Sequence, residues 1–239
     1  MRKYDCILFD LDNTLVDDDE NRKYAIKEVA IAFNLSINNE MINYFPKYDN
    51  NYWTMRAKGE MPDPVIFDTK DEQTVWVRAH RFEMFFSIPY EVAVKVNEVY
   101  CELIKERVIP IFGAKEAIED LKKMGCQIFI ATNGPKIAVK DKLSKIDVFK
   151  YIDETFAAEE IGFMKPKKEY FDGLFQKINR YSRDTMLMVG DEFDKDVIGA
   201  INYGIDACWF NPNCEQNDDI SKATYVIKEL PDLVKILKR

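Results

Sequence analysis

The chain has 239 residues, with 34 lysines and arginines against 42 aspartates and glutamates, a formal net charge of −8 and 47% hydrophobic residues. That apolar content is too high for a disordered chain and too low for a membrane-embedded one, and the length suits one large domain or a core with an insertion. An acidic balance argues against binding a nucleic-acid polymer, which needs a basic face to neutralise successive phosphates, but it leaves a small anionic ligand open.

The first element, Cys6-Ile7-Leu8-Phe9, is an unalternated apolar run that stops at Asp10-Leu11-Asp12-Asn13-Thr14. Such a run suits a strand buried on both faces, as in a parallel sheet. Asp5 and Asp10 interrupt it too early for a signal peptide, and no stretch approaches the roughly 20 apolar residues that span a bilayer, so a cytoplasmic protein with no membrane contact is expected. Residues 18–108 read as a separate unit with four helical patterns, near 20–34, 39–57, 71–87 and 90–107. Pro62 and Pro64 break the second from the third, because neither can continue a helix.

From residue 109 the pattern alternates. A helix is predicted over 114–124, with Ala117, Ile118, Leu121 and Met124 on one face and Gly125 as its stop. Strands follow at 127–131 and 155–157, then a helix over 166–179 with Pro166 in its first turn and Tyr170, Phe171, Leu174, Phe175 and Ile178 on one side. Further strands at 186–189, 207–210 and 225–227 enclose a helix over 195–203 that ends at Gly204. The fold expected is α/β, a doubly wound parallel sheet over 1–17 and 109–239 with an all-helical insertion over 18–108. The basic end, Lys235-Ile236-Leu237-Lys238-Arg239, reads as the solvated end of a last helix. The five cysteines are scattered without a C-x-x-C pair, which suggests reduced thiols and not a disulfide framework or zinc knuckle.

Ligands of open α/β sheets bind beyond the carboxyl ends of the strands, so the residues after each apolar run should converge. These are Asp10, Asp12 and Thr14, then Thr132 and Asn133, then Asp191 with Asp194 and Asp196 close behind. Several carboxylates together repel unless a cation sits among them, and oxygen-only donors point to Mg²⁺ bridging to a phosphate. Beside such a cation Asp10 can act as a nucleophile, and Asp12, two residues on, can give the leaving oxygen a proton. Thr132 and Asn133 can donate to phosphate oxygens, while Lys165 can balance charge.

Asp10-Leu11-Asp12-Asn13-Thr14-Leu15, Thr132-Asn133-Gly134, Lys165-Pro166 and Gly190-Asp191 with Asp196 stand in that order. This arrangement resembles the haloacid dehalogenase superfamily, with residues 18–108 similar to its helical C1-type cap on a Rossmann-like core. The resemblance implies phosphoryl transfer with Asp10 as nucleophile and Asp12 as acid/base. It also implies Mg²⁺ held by Asp10, the backbone carbonyl of Asp12, and Asp191, with Asp196 supporting the metal waters or Lys165. Asp194 falls outside the family spacing. Dehalogenases of the superfamily lack a carboxylate at the place of Asp12, which favours phosphate chemistry here. The motifs are most similar to those of pyrimidine 5′-nucleotidases and phosphoglycolate phosphatases, so the expected activity is Mg²⁺-dependent hydrolysis of a small phosphorylated metabolite, foremost a nucleoside 5′-monophosphate. A sugar-phosphate or phosphoglycolate phosphatase is the alternative, followed by a phosphoglucomutase-type phosphotransferase and a non-catalytic phosphate-binding module.

Substrate choice in such proteins depends on the cap. There Tyr52, Trp53, Arg56, Trp76, Arg78, His80, Arg81 and Phe82 could stack a base or hold a phosphate, although aromatics at helical spacing usually form core. Arg56, next to the break at Lys58-Gly59, is the preferred substrate contact. A monomer and a weak homodimer fit equally well.

Overall fold

The computed structural model describes residues 4–61, 63 and 67–238. Arg2, Lys3 and Arg239, and the Pro62 and Pro64 assigned to the helix break, lie outside the described residues. Six strands, β1 (Cys6–Phe9), β2 (Gln127–Thr132), β3 (Glu154–Ala157), β4 (Met186–Gly190), β5 (Asp206–Phe210) and β6 (Tyr225–Ile227), form one sheet in the order β3-β2-β1-β4-β5-β6. Every pairing is parallel, and Phe9 stands in register with Ile130 on one side and Val189 on the other.

The apolar runs do not alternate because the sheet is covered on both faces. Ile7, Phe9, Ile128, Ile130, Leu187 and Val189 face a cluster with Ala117, Ile118 and Leu121 of α5 (Ala114–Lys123). Leu8, Phe129, Met186, Met188 and Trp209 face the opposite cluster, with Tyr170, Phe171 and Leu174 of α8 (Lys168–Lys177). The strand order reverses between β1 and β4, and that reversal opens a crevice beyond their carboxyl ends.

Three elements depart from expectation. The helix predicted from Pro166 begins two residues later, because the main chain of Lys165 is bonded on both sides to Asn133 and cannot enter a helix there. The helix predicted over 195–203 starts as a π-helical turn, Phe193–Ile198, before α9 (Gly199–Tyr203). A helix without a clear sequence signal, α6 (Lys136–Lys145), exposes Ile137 and buries Lys142, so its periodicity is inverted at two positions. A four-residue helix, α7 (Ala158–Ile161), follows β3, and α10 (Leu230–Leu237) ends the described chain.

The chain divides into two compact units, Met1–Asp18 with Val108–Arg239 and Asp19–Arg107. Asp18 belongs to the first unit, where its carboxylate accepts a 2.7 Å bond from Lys142 Nζ. The second unit consists of α1 (Asp18–Ala32, from its second residue), α2 (Asn39–Ala57), α3 (Lys70–Phe86) and α4 (Tyr90–Glu106). The Asn38 side chain caps α2, and Thr69 with Glu72 forms a capping box on α3. Ala25, Ile26, Val29, Phe45, Ala79, Phe82, Ala93, Val96 and Tyr100 make its core. No described helix is long and apolar enough to cross a membrane.

Candidate active site

Asp10 follows β1 directly, and its N–H continues the ladder by donating to the Val189 carbonyl at 2.8 Å. The chain then makes a tight turn in which the Leu11 carbonyl accepts from Leu15 at 2.9 Å and Val16 at 3.1 Å. Asn13 takes a left-handed conformation there (φ 58°), which asparagine tolerates better than most residues. The turn brings the Thr14 hydroxyl to Asp191 Oδ1 at 3.1 Å, and Trp209 Nε1 holds the Asp191 carbonyl at 2.8 Å.

The π-helical turn returns Asp196 over the end of β4, where its Oδ2 accepts from the Glu192 N–H at 3.1 Å. A β-carbon on Gly190 would lie 2.2 Å from that oxygen, so the approach requires glycine. Lys165 Nζ spends its three protons on Asp10 Oδ1 at 2.7 Å, Asp196 Oδ1 at 2.6 Å and the Ala131 carbonyl at 2.6 Å. Asn133 fixes the Lys165 main chain, accepting from its N–H at 2.8 Å and donating to its carbonyl at 3.1 Å. That leaves the Asn133 amide one proton for any anion. Thr132 is buried at the end of β2, where its Oγ accepts from the Gly134 N–H at 2.9 Å and keeps a proton to donate.

Asp12 has a different partner. Its Oδ1 is ion-paired to Lys142 Nζ, which also bonds Asp18. Sequence reasoning missed Lys142 and Asp18, and the available signal was a lysine sharing the face of α6 with Val139 and Leu143. Asp194 is exposed and stands outside the group. Arg56 belongs to the helical unit, where it pairs with Asp63, donates to the Met61 carbonyl at 3.3 Å and lies 5.6 Å over Trp76. Tyr52 and Phe82 of the same unit are buried, and Arg81 is buried against Asp49 at 2.7 Å.

The charges explain one another. Burial raises the Asp10 carboxyl to about 7; Lys165 opposes the rise and the Asp196 charge adds to it. Burial and the Asp18 charge carry Asp12 to about 6 against the pull of Lys142. Burial and the charges of Asp10 and Asp196 hold Asp191 well above the usual carboxylate range, and Asp196 is raised by burial although Lys165 opposes it. Burial alone would depress Lys165, but Asp10 and Asp196 outweigh it and keep the ammonium charged.

Asp10, Asp191 and Asp196 each offer a carboxylate oxygen, all within 4.8 Å of one another. Among the described residues Lys165 is the one ammonium paired with this trio, bonding Asp10 and Asp196, so three buried or half-buried carboxyl groups share a single positive charge. All-oxygen, anionic donors of this kind suit a hard divalent cation such as Mg²⁺, which keeps several waters of its own.

Comparison with known proteins gives the family and supports the fold. Residues 4–204 match the haloacid dehalogenase-like hydrolases. The chain is 28% identical over 237 residues to the HAD-hydrolase YfnB of Bacillus subtilis, covering 99% of this chain and 97% of that protein. A crystal structure of YfnB bound to magnesium superposes with a TM-score of 0.83 at 27% identity, covering 100% of both chains. The pyrimidine 5′-nucleotidase PynA of Streptococcus pneumoniae is 25% identical over 236 residues (99% of this chain, 96% of that protein). The glyceraldehyde 3-phosphate phosphatase of Pyrococcus furiosus is 26% identical over 251 aligned positions (100% and 95%). With the ordered acidic motifs at the switch point of a parallel sheet and a family match over most of its length, the chain belongs to the haloacid dehalogenase-like hydrolases.

Proposed function

We propose that this chain is a Mg²⁺-dependent phosphatase that hydrolyses a small phosphomonoester, foremost a nucleoside 5′-monophosphate, through an aspartyl-phosphate. The observation that carries this reading is a pair of carboxyl groups two residues apart with separate lysines, Asp10 on Lys165 and Asp12 on Lys142. In the first step an Asp10 oxygen attacks phosphorus, the ester P–O bond breaks, and Asp12 protonates the departing alcohol oxygen. In the second, water attacks phosphorus, Asp12 takes its proton, and the bond from Asp10 to phosphorus breaks to release phosphate. A carboxyl titrating at about 6 can both give and take a proton near neutrality, as the two steps require. Thr132 and the remaining Asn133 proton would receive the non-bridging phosphate oxygens, with Lys165 balancing their charge. A Mg²⁺ held by Asp10, Asp191 and the Asp12 carbonyl, with Asp196 in support, would supply the charge stabilisation that the carboxylates and phosphate need.

The nucleotide preference is supported by similarity to PynA, and the sugar-phosphate alternative by similarity to the glyceraldehyde 3-phosphate phosphatase. Phosphate release from 4-nitrophenyl phosphate with and without Mg²⁺, in the native chain and Asp10→Asn, tests the reaction. Absence of metal-dependent turnover in the native chain on any phosphomonoester overturns it. A panel of nucleoside monophosphates, sugar phosphates and phosphoglycolate then tests the substrate class, and equal or better kcat/KM on the sugar phosphates rejects the nucleotide preference.

A further inference from the structure

Among the lysines of α6, Lys136, Lys140 and Lys145 are exposed, whereas Lys142 is buried with its side chain 11% accessible. A buried ammonium must be paired, and Lys142 is paired with two carboxylates far away in sequence, Asp12 and Asp18. Asp18 opens α1, while Asp12 lies in the turn after β1, so one lysine ties together a strand end and a helix start.

The two oxygens of Asp12 therefore have different surroundings. Oδ1 is taken by Lys142. Oδ2 lies beside Gly134, where a β-carbon would come within 3.0 Å of it and 3.2 Å of Thr132 Oγ. Oδ2 thus faces the loop that carries Thr132 and Asn133. An ammonium group only donates hydrogen bonds and pairs best with an anionic oxygen, so Lys142 on Oδ1 favours the carboxyl proton on Oδ2.

We propose that Lys142, itself held by Asp18, is a positioning residue that fixes the Asp12 carboxyl in one orientation and confines its transferable proton to Oδ2. The inference rests on the phosphatase reading above. Oδ2 is then the atom that gives the proton to the leaving oxygen, and its orientation is set before substrate arrives. Without Lys142 the carboxyl can rotate and carry its proton on either oxygen, and leaving groups that need protonation lose most from this.

The test is kcat/KM in Mg²⁺ for 2,4-dinitrophenyl, 4-nitrophenyl, phenyl and 4-methoxyphenyl phosphate, because this parameter reports the first displacement. The proteins compared are native, Lys142→Met, Lys142→Arg and Asp18→Asn, each checked for folding by circular dichroism. The dinitrophenolate leaves without a proton, so Lys142→Met is expected to stay within about threefold of native on that ester and to fall about a hundredfold on the phenyl and methoxyphenyl esters, the usual scale of acid assistance. Lys142→Arg should recover part of the loss, and Asp18→Asn should show the same leaving-group dependence more weakly. Equal losses on all four esters, or none, would falsify the positioning role. If Lys142→Met does not fold, the slopes for Lys142→Arg and Asp18→Asn decide by the same criterion. A native chain that cleaves no aryl phosphate overturns the phosphatase reading and this inference with it, whereas native turnover with an unchanged slope in the variants overturns this inference alone.

Discussion

The two units of the chain treat buried charge in opposite ways. In the helical unit Asp49 is met by Arg81 at 2.7 Å and Arg22 at 3.3 Å, and Arg81 also reaches Asn97 at 3.3 Å. There two guanidiniums meet one carboxylate, and the group packs among Trp53, Phe82 and Tyr100 as part of a core. At the carboxyl end of the sheet Asp10, Asp12, Asp18, Asp191 and Asp196 gather around Lys142 and Lys165. The excess of carboxylate there is an electrostatic cost that a cation would relieve, which is the role proposed for this end of the sheet.

The sharpest way to break that contrast is Asp10→Asn. The amide cannot form the acyl-phosphate, so steady-state phosphate release should fall by about a thousandfold or more while the melting temperature holds or rises. Retained activity would remove Asp10 from the chemistry.

In the helical unit Asp49→Leu should behave conversely. It leaves the Arg81 charge buried without its carboxylate and should cost about 3–5 kcal/mol of stability in that unit. Hydrogen exchange over residues 19–107 would register this as lost protection; a change below about 1 kcal/mol would mean that the pair is not structural.

A smaller effect links pH to stability. Asp10 is raised to about 7 and Asp12 to about 6, with Asp191 and Asp196 also displaced upward. The folded state therefore keeps protons that the unfolded chain, with aspartates near about 3.9, has already released. Their contribution is fully present below that value and is lost as pH rises through the folded values. The partly or fully exposed acids Asp63, Asp120, Asp147 and Asp172 shift the other way, downward through hydrogen bonds from their neighbours, so they lie below this window. The metal-free protein should thus melt about 5 °C lower at pH 7.5 than at pH 5, and Mg²⁺ at about a hundred times its Kd should restore about 2.7 kcal/mol. Thermal melts with and without chelator measure both, and a melting temperature that climbs with pH in the absence of metal would contradict the charge excess. Least affected should be Arg56→Ala, whose ion pair with Asp63 is partly exposed and is expected to contribute under about 1 kcal/mol to thermal stability.

Much of the fold was legible in the residue order because the sheet is covered on both faces. Three strands appear as apolar runs that stop at an acid, a threonine or a glycine, namely Asp10, Thr132 and Gly190, and all six predicted strands are in the structure. The helical insertion was legible for a related reason, as residues such as Phe45, Phe82, Val96 and Tyr100 recur at helical spacing and pack together. Helix α6 was not, because Ile137 faces solvent and Lys142 does not, so the rule that apolar residues go inside misreads it. The start of α8 was misplaced because Pro166 is compatible with a helix locally, while Asn133 holds the preceding residue out of one.

The sequence by itself determined the order of the acidic motifs, the class of fold and the end of the sheet at which chemistry belongs, since all three follow from local patterns and from chain connectivity. Only the tertiary structure decided that Asn133 braces Lys165, that Gly190 makes room for Asp196, and that Lys142 joins Asp12 to Asp18. Those pairings cross 32, 130 and 124 residues of chain for Asn133–Lys165, Asp12–Lys142 and Asp18–Lys142. Their partners meet because the parallel sheet stacks distant strand ends together, and nothing in the spacing of the residues records that meeting.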